Sequence, residues 1–127
     1  MELLKLYIHI TGMNALVAEG YCVRMILFDG HCEGDCFHGK ILPGGVDTQM
    51  IGKNGEGTLS ARYMLEGWDS ENEPCRLFIE NSARAGSRKT RPVIRTDSPA
   101  LKWMEKAELE GRMENADGQL VITICRK

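Results

Sequence analysis

The chain has 127 residues, of which 43% are hydrophobic and 27% charged, with a formal net charge of −2. That length supports one core and hence one domain over residues 1–127. The near-neutral charge excludes the broad basic field of a nucleic-acid or anionic-membrane binder, and no apolar run reaches the ~18 residues of a spanning helix.

Period-two alternation begins at once. In MELLKLYIHI, Leu4, Leu6, Ile8 and Ile10 share one face while Lys5 and His9 take the other. The segment has no basic leader and no small-residue cleavage site, so it reads as a strand rather than a signal peptide, and a cytoplasmic location is expected. Met13 to Glu19 fits either a helical turn or a bent strand. Next, Tyr21, Val23, Met25 and Leu27 alternate with Cys22, Arg24, Ile26 and Phe28. The first set is expected to face inward, which leaves Ile26 and Phe28 on an outer wall that needs cover. Phe78, between Arg76 and Glu80, poses the same demand. The cover is either Met13 to Glu19 or a second copy of the chain, and a homodimer is the expectation.

His31-Cys32-Glu33-Gly34-Asp35-Cys36-Phe37-His38 gathers two thiols and two imidazoles. Structural zinc sites usually join two separated knuckles, and here there is one. The segment reads as a turn leading into a strand, and no metal or cofactor is expected. The five cysteines (Cys22, Cys32, Cys36, Cys75, Cys125) are an odd number in strand-like contexts, which fits five reduced thiols, several of them buried.

Pro43-Gly44-Gly45 suits a sharp corner, while Asn54-Gly55 and Asp117-Gly118 suit type I′ hairpins. The glycine-rich Gly52 to Gly57 lacks a Gly-Lys-Ser/Thr and precedes a hairpin, so it is not a phosphate loop. No serine, threonine or cysteine sits in a nucleophile-elbow context. Leu59, Ala61, Tyr63 and Leu65 alternate with Thr58, Ser60, Arg62 and Glu66. Polar groups stand among these apolar strands: Asp47, Gln49, Arg62, Tyr63, Glu80 and Asn81. Neighbouring strands lie ~4.8 Å apart, so such residues can converge on an oxygenated ligand or move a proton beside a carbonyl. Arg62 and Glu80 fall on polar faces, where a surface pair is the alternative; Tyr63 and Asn81 fall on apolar faces.

The stretch from Arg84 to Arg95 holds five basic residues, no acid and no aromatic. A solvated loop is the first reading, and a barrel rim that receives an anion is the second; a nucleic-acid surface lacks the stacking residues it needs. Pro99 at the start of ALKWMEK, after Asp97-Ser98, marks one short helix, with Trp103 expected to pack it onto the barrel end. Leu120, Ile122 and Ile124 alternate again near the end.

The total is eight to ten strands and one helix. Hairpin-linked strands bury one face against themselves, so the fold class is all-β, a single antiparallel meander closed into a barrel. The leading functional expectation is a cavity for an apolar or oxygenated small molecule, touched by Asp47, Gln49, Arg62, Tyr63 and Asn81. A second is a cyclase- or isomerase-like enzyme in which Asp47 exchanges a proton and Arg62 or Tyr63 stabilises an oxyanion. A third is a non-catalytic subunit or scaffold.

Four patches in order, GKILPGGVDTQ, NGEGTLSARYMLE, LFIENSARAG and IRTDSPALKWMEKAELEGR, resemble the bacterial family known as domain of unknown function 3237. The resemblance implies a single-domain β-barrel similar to lipid-binding and cyclase-type barrels, with no family-wide reaction. It carries over Asp47, Arg62, Tyr63 and Asn81 as shared polar positions, without roles. The chain departs from the pattern at Asp69 to Pro74, where a tight Asp-Gly turn is commoner, and at Met104, where leucine is.

Overall fold

Alternation becomes nine antiparallel strands in the computed structural model, which describes Met1–Lys127. They are β1 (Glu2–Ala18), β2 (Tyr21–Glu33), β3 (Phe37–Ile41), β4 (Gly45–Gly52), β5 (Gly57–Asp69), β6 (Pro74–Arg84), β7 (Lys89–Thr96), β8 (Leu109–Ala116) and β9 (Gln119–Arg126). A 3₁₀ helix, Pro99–Glu105, lies between β7 and β8. Eight strands close a ring in the order β1-β2-β4-β5-β6-β7-β8-β9, with β9 pairing back onto β1. The ninth, β3, stands outside that ring order. Of the Met13 to Glu19 segment, Met13 to Ala18 resolves as the end of strand β1 and Glu19 opens the turn to β2, with a bulge in β1 between Ile10 and Gly12. No helix is long and apolar enough to cross a membrane.

Pro43-Gly44-Gly45 is not a hairpin corner. Both β3 and β4 pair with β2 on one side and β5 on the other, so they lie in line in one slot of the wall. Leu42 to Gly44 interrupt what would be a single strand, because proline cannot donate to a ladder and Gly44 takes φ 111°. The Asp117-Gly118 turn has positive φ at both residues, as type I′ requires. At Asn54-Gly55 only Gly55 does, and the Lys53-to-Glu56 loop is longer than a two-residue turn.

Two face assignments reverse. On β2, Arg24, Ile26 and Phe28 face inward, opposite Gln49, Asp47 and Gly45 of β4. Tyr21, Met25 and Leu27 lie on the outer wall, exposed. Ile26 and Phe28 therefore need no cover from a second chain. Trp103 is also not the residue that seats the helix. Leu101 and Met104 are buried, while Trp103 is more than a third exposed and stacks under the Arg126 guanidinium at 5.1 Å. The Arg84 to Arg95 stretch is mostly strand β7, its basic residues pointing out between buried Thr90, Pro92, Ile94 and Thr96; only Ala85 to Arg88 form a turn.

The helix end of the barrel is packed solid. Leu4, Leu6, Leu65, Leu77, Ile94, Leu101, Met104 and Ile124 are each no more than 1% exposed, with Phe37 and Cys32 among them. Burial pushes the Cys32 thiol up to about 12, with the nearby Cys36 adding to it, so Cys32 acts as a small hydrophobe. At this end Gly39 faces Gly67 across β3 and β5, and a Cβ on either would run into the other strand's backbone. Two opposed glycines thus let the wall pinch where the barrel closes.

Buried Asp69 ties the same end together. Its carboxylate accepts from Ser98 Oγ at 2.7 Å and from the backbone N–H groups of Glu71 and Glu73 at 2.9 and 3.0 Å. The Ser98 hydroxyl and the Glu73 N–H hold its pKa below the usual 3.8. A depressed carboxylate adds stability that is complete above its unfolded value and disappears as pH falls through its folded value. Urea unfolding midpoints should therefore drop on acidification from ~pH 5 to ~pH 2, and less steeply in Asp69→Asn; equal slopes would remove Asp69 as the cause. Separately, Gly67→Ala should lower unfolding free energy by about 1–3 kcal/mol, whereas an unchanged midpoint would mean the pinch is not tight.

Candidate functional site

The other end of the barrel is built from different side chains. One inward register row reads Ile26, Asp47, Ala61 and Asn81 across β2, β4, β5 and β6. The next row toward the open end reads Arg24, Gln49, Leu59 and Ala83. Ala61 and Ala83 are too short to fill the lumen, so space opens between Asp47 and Asn81, whose strands are about 10 Å apart. Across the barrel, Thr90 of β7 faces Gly111 of β8, and a Cβ at Gly111 would overlap the Thr90 hydroxyl. The β7–β8 ladder stops at that pair, because Pro92 has no N–H to continue it.

The result is a cavity of about 210 Å³, lined by fourteen residues of which ten are hydrophobic. Ile8, Ile10, Ile26, Phe28, Leu59 and Ile122 supply much of the apolar wall, and Asp47, Gln49, Asn81 and Thr90 are the polar members. The volume falls short of the ~300–1,000 Å³ usual for drug-sized ligands, so the occupant it fits is small.

The polar members are unevenly satisfied. Gln49 donates from Nε2 to Asp47 Oδ2 at 2.9 Å, which orients the carboxylate. Asn81 Oδ1 and Thr90 Oγ1 are shielded from solvent and have no hydrogen-bond partner within the chain. Tyr63 OH is in the same position. Tyr63 points inward beneath the cavity, its ring edge-on to Phe28 with centroids 5.3 Å apart. Burial raises its pKa far above the usual 10, so the phenol stays protonated and acts only as a neutral group.

Of the residues singled out from sequence, Asp47, Gln49 and Asn81 share the cavity, and Tyr63 lies just below it. Arg62 does not join them. It lies on the outer wall, its Nε 2.7 Å from Glu80 Oε2, in the cross-strand surface pair that was the alternative. The imidazoles of the 31–38 segment also point away: His31 stacks on Tyr7 and His38 on Trp68. Sequence reasoning missed Thr90 and Gly111. Their signal was slight, a threonine and a glycine where larger apolar residues would have filled the lumen.

No family model matches the chain. A UPF0311 protein of Clostridium acetobutylicum is 31% identical over 115 residues, spanning 75% of this chain and 69% of the relative. The chain belongs to the UPF0311 family. A crystal structure of a protein of unknown function from Clostridium acetobutylicum superposes on this UPF0311 chain with a TM-score of 0.83 at 22% identity, covering 99% of this chain and 94% of that one. A β-barrel-like protein from Acinetobacter baumannii gives 0.81 at 18% identity over 98% and 92% of the two chains. A crystal structure described as an enzyme from Penicillium herquei gives 0.78 at 15% identity over 98% and 92%. At these identities the likeness shows the fold.

The orphaned groups allow a direct check on what the site is for. If Asn81 and Thr90 serve a ligand rather than the fold, Asn81→Leu and Thr90→Val should each leave the urea midpoint unchanged or raised. A loss of about 1–3 kcal/mol would mean that both groups are satisfied within the folded chain.

Proposed function

We propose that this UPF0311 barrel binds a small molecule with an apolar body and at least one hydrogen-bonding group. The observation that carries the reading is a largely apolar cavity whose inner wall holds two shielded, unpartnered polar atoms, Asn81 Oδ1 and Thr90 Oγ1. Leaving such groups unpaired costs about 1–3 kcal/mol each, a penalty that a ligand bonding to them removes. The apolar walls contribute the rest of the affinity, and the paired Asp47 and Gln49 define one side of the ligand. Native mass spectrometry of freshly purified protein tests this. A retained species that dissociates on mild activation, and that Gly111→Ala diminishes by crowding Thr90, is the expected result. Bare protein that also takes up no member of a broad metabolite mixture would contradict it.

A second reading, proton transfer, is favoured by the Gln49–Asp47 contact, which fixes a carboxylate beside the cavity as general-base chemistry requires. Arg62 has no part in it, since it lies outside; Tyr63 would serve as a neutral donor, not as a base. Once a ligand is known, Asp47→Asn separates the readings. Retained affinity with lost turnover indicates catalysis, while unchanged ligand recovery and no turnover in either protein indicates binding alone.

A further inference from the structure

One cation in the molecule stands apart. Of the nine arginines, eight are exposed, and Arg24 alone is not. It lies on the inner face of β2, directly across from Gln49 and two residues before Ile26, both of which line the cavity. Its Nε is shielded from solvent and has no hydrogen-bond partner. None of the eight ion pairs includes it, and Asp47, one register row deeper, is held by Gln49 instead. On β1 its cross-strand neighbour is Ala15, which offers no charge.

Arg24 keeps a shielded, unpaired Nε and no ion-pair partner, a local cost that a bound anion would relieve. The guanidinium is also the side chain best shaped for a planar oxyanion, since its fork of N–H groups meets two carboxylate oxygens at once. We propose that Arg24 is the anion anchor of the cavity, and that the ligand is an amphipathic carboxylate. This rests on the small-molecule reading above and names the ligand's class and its orientation.

The orientation follows from the chemistry of the walls. No lysine or arginine lines the cavity itself, so a charge inserted first would lie among Phe28, Ala61 and Ile122 beside the Asp47 carboxylate. With the carboxylate at Arg24 the ligand's charge stays at the rim, and its apolar body fills the space lined by Ile26, Leu59 and Ile122. A hydrogen-bonding group at the far end would then reach Asn81 or Thr90. Arg24 thereby selects anionic apolar ligands over neutral ones of the same shape, because only the former supply the missing counter-charge.

Calorimetric titration with cinnamate, octanoate and their primary amides tests this on the intact chain. The acid and the amide share a shape and differ in charge. Wild-type protein should bind at least one acid more tightly than its amide by about tenfold or more, the scale of a charge-assisted pair. Arg24→Met, which keeps an apolar stem, should abolish that preference while leaving amide binding unchanged, which also shows that the variant is folded. Arg24→Lys should restore part of the preference, having the charge without the fork. Acids and amides binding alike, with no effect of Arg24→Met, would overturn the anchor and leave the cavity reading intact. Failure of all four probes to bind would count against both.

Discussion

Closure of the sheet through the β1–β9 ladder is the constraint on which the rest depends. The first strand meets the last from Glu2 opposite Cys125 to Ile8 opposite Leu120, joining residues more than a hundred positions apart. The inward side chains of every strand then share one interior: Leu4, Leu6 and Ile8 from one edge of the seam, Ile122 and Ile124 from the other. An open sheet of the same strands would leave that face wet and two edges unpaired. Such non-local pairing must form before its burial stabilises anything, so the fold belongs among those that form slowly.

Along the barrel axis that shared interior changes character. At the helix end, leucines, Phe37 and Met104 fill it to the density of a core, and the Asp69–Ser98 contact fastens the rim. At the other end the inward positions turn small or polar: Ala61, Ala83, Gly111, Asp47, Gln49, Asn81 and Thr90. Cavity and core are thus one lumen with two fillings, a packed half and a half that keeps a cavity. The polar lining residues are carried on strands, which hold side chains more firmly than loops do, so the two unpartnered atoms of Asn81 and Thr90 sit at fixed positions.

Much of this was legible in the sequence because period-two alternation leaves little choice where one face is polar. On β1, β5 and β9 the apolar sets Leu4-Leu6-Ile8, Ala61-Tyr63-Leu65 and Leu120-Ile122-Ile124 all proved to face inward. Strand β2 misled for a physical reason: both its faces are apolar, so the pattern carries no sign. Tyr21, Met25 and Leu27 looked the more hydrophobic set, yet they are the exposed one. Arg24 lies inside against the usual preference, and such exceptions to alternation collect at sites rather than in cores. Arg62 was kept as a candidate although alternation already put it on the polar face of its strand, and the surface pair with Glu80 named as the alternative is what forms. The in-line arrangement of β3 and β4 could not be read from Pro43-Gly44-Gly45 either. The same residues serve a corner or an interruption, and only pairing partners distinguish the two.

The decisive question is whether the half-empty end of the barrel admits small molecules while the packed end does not. Methyl-resolved NMR of isoleucine- and leucine-labelled protein, titrated with an uncharged probe such as indole, reads that contrast directly. Saturable shifts confined to Ile8, Ile10, Ile26, Leu59, Leu120 and Ile122 are expected, with Leu4, Leu65, Leu77 and Ile124 unmoved. Shifts concentrated instead on the outer-wall methyls of Leu16 and Leu27, or no saturable shift at any cavity methyl, would contradict it.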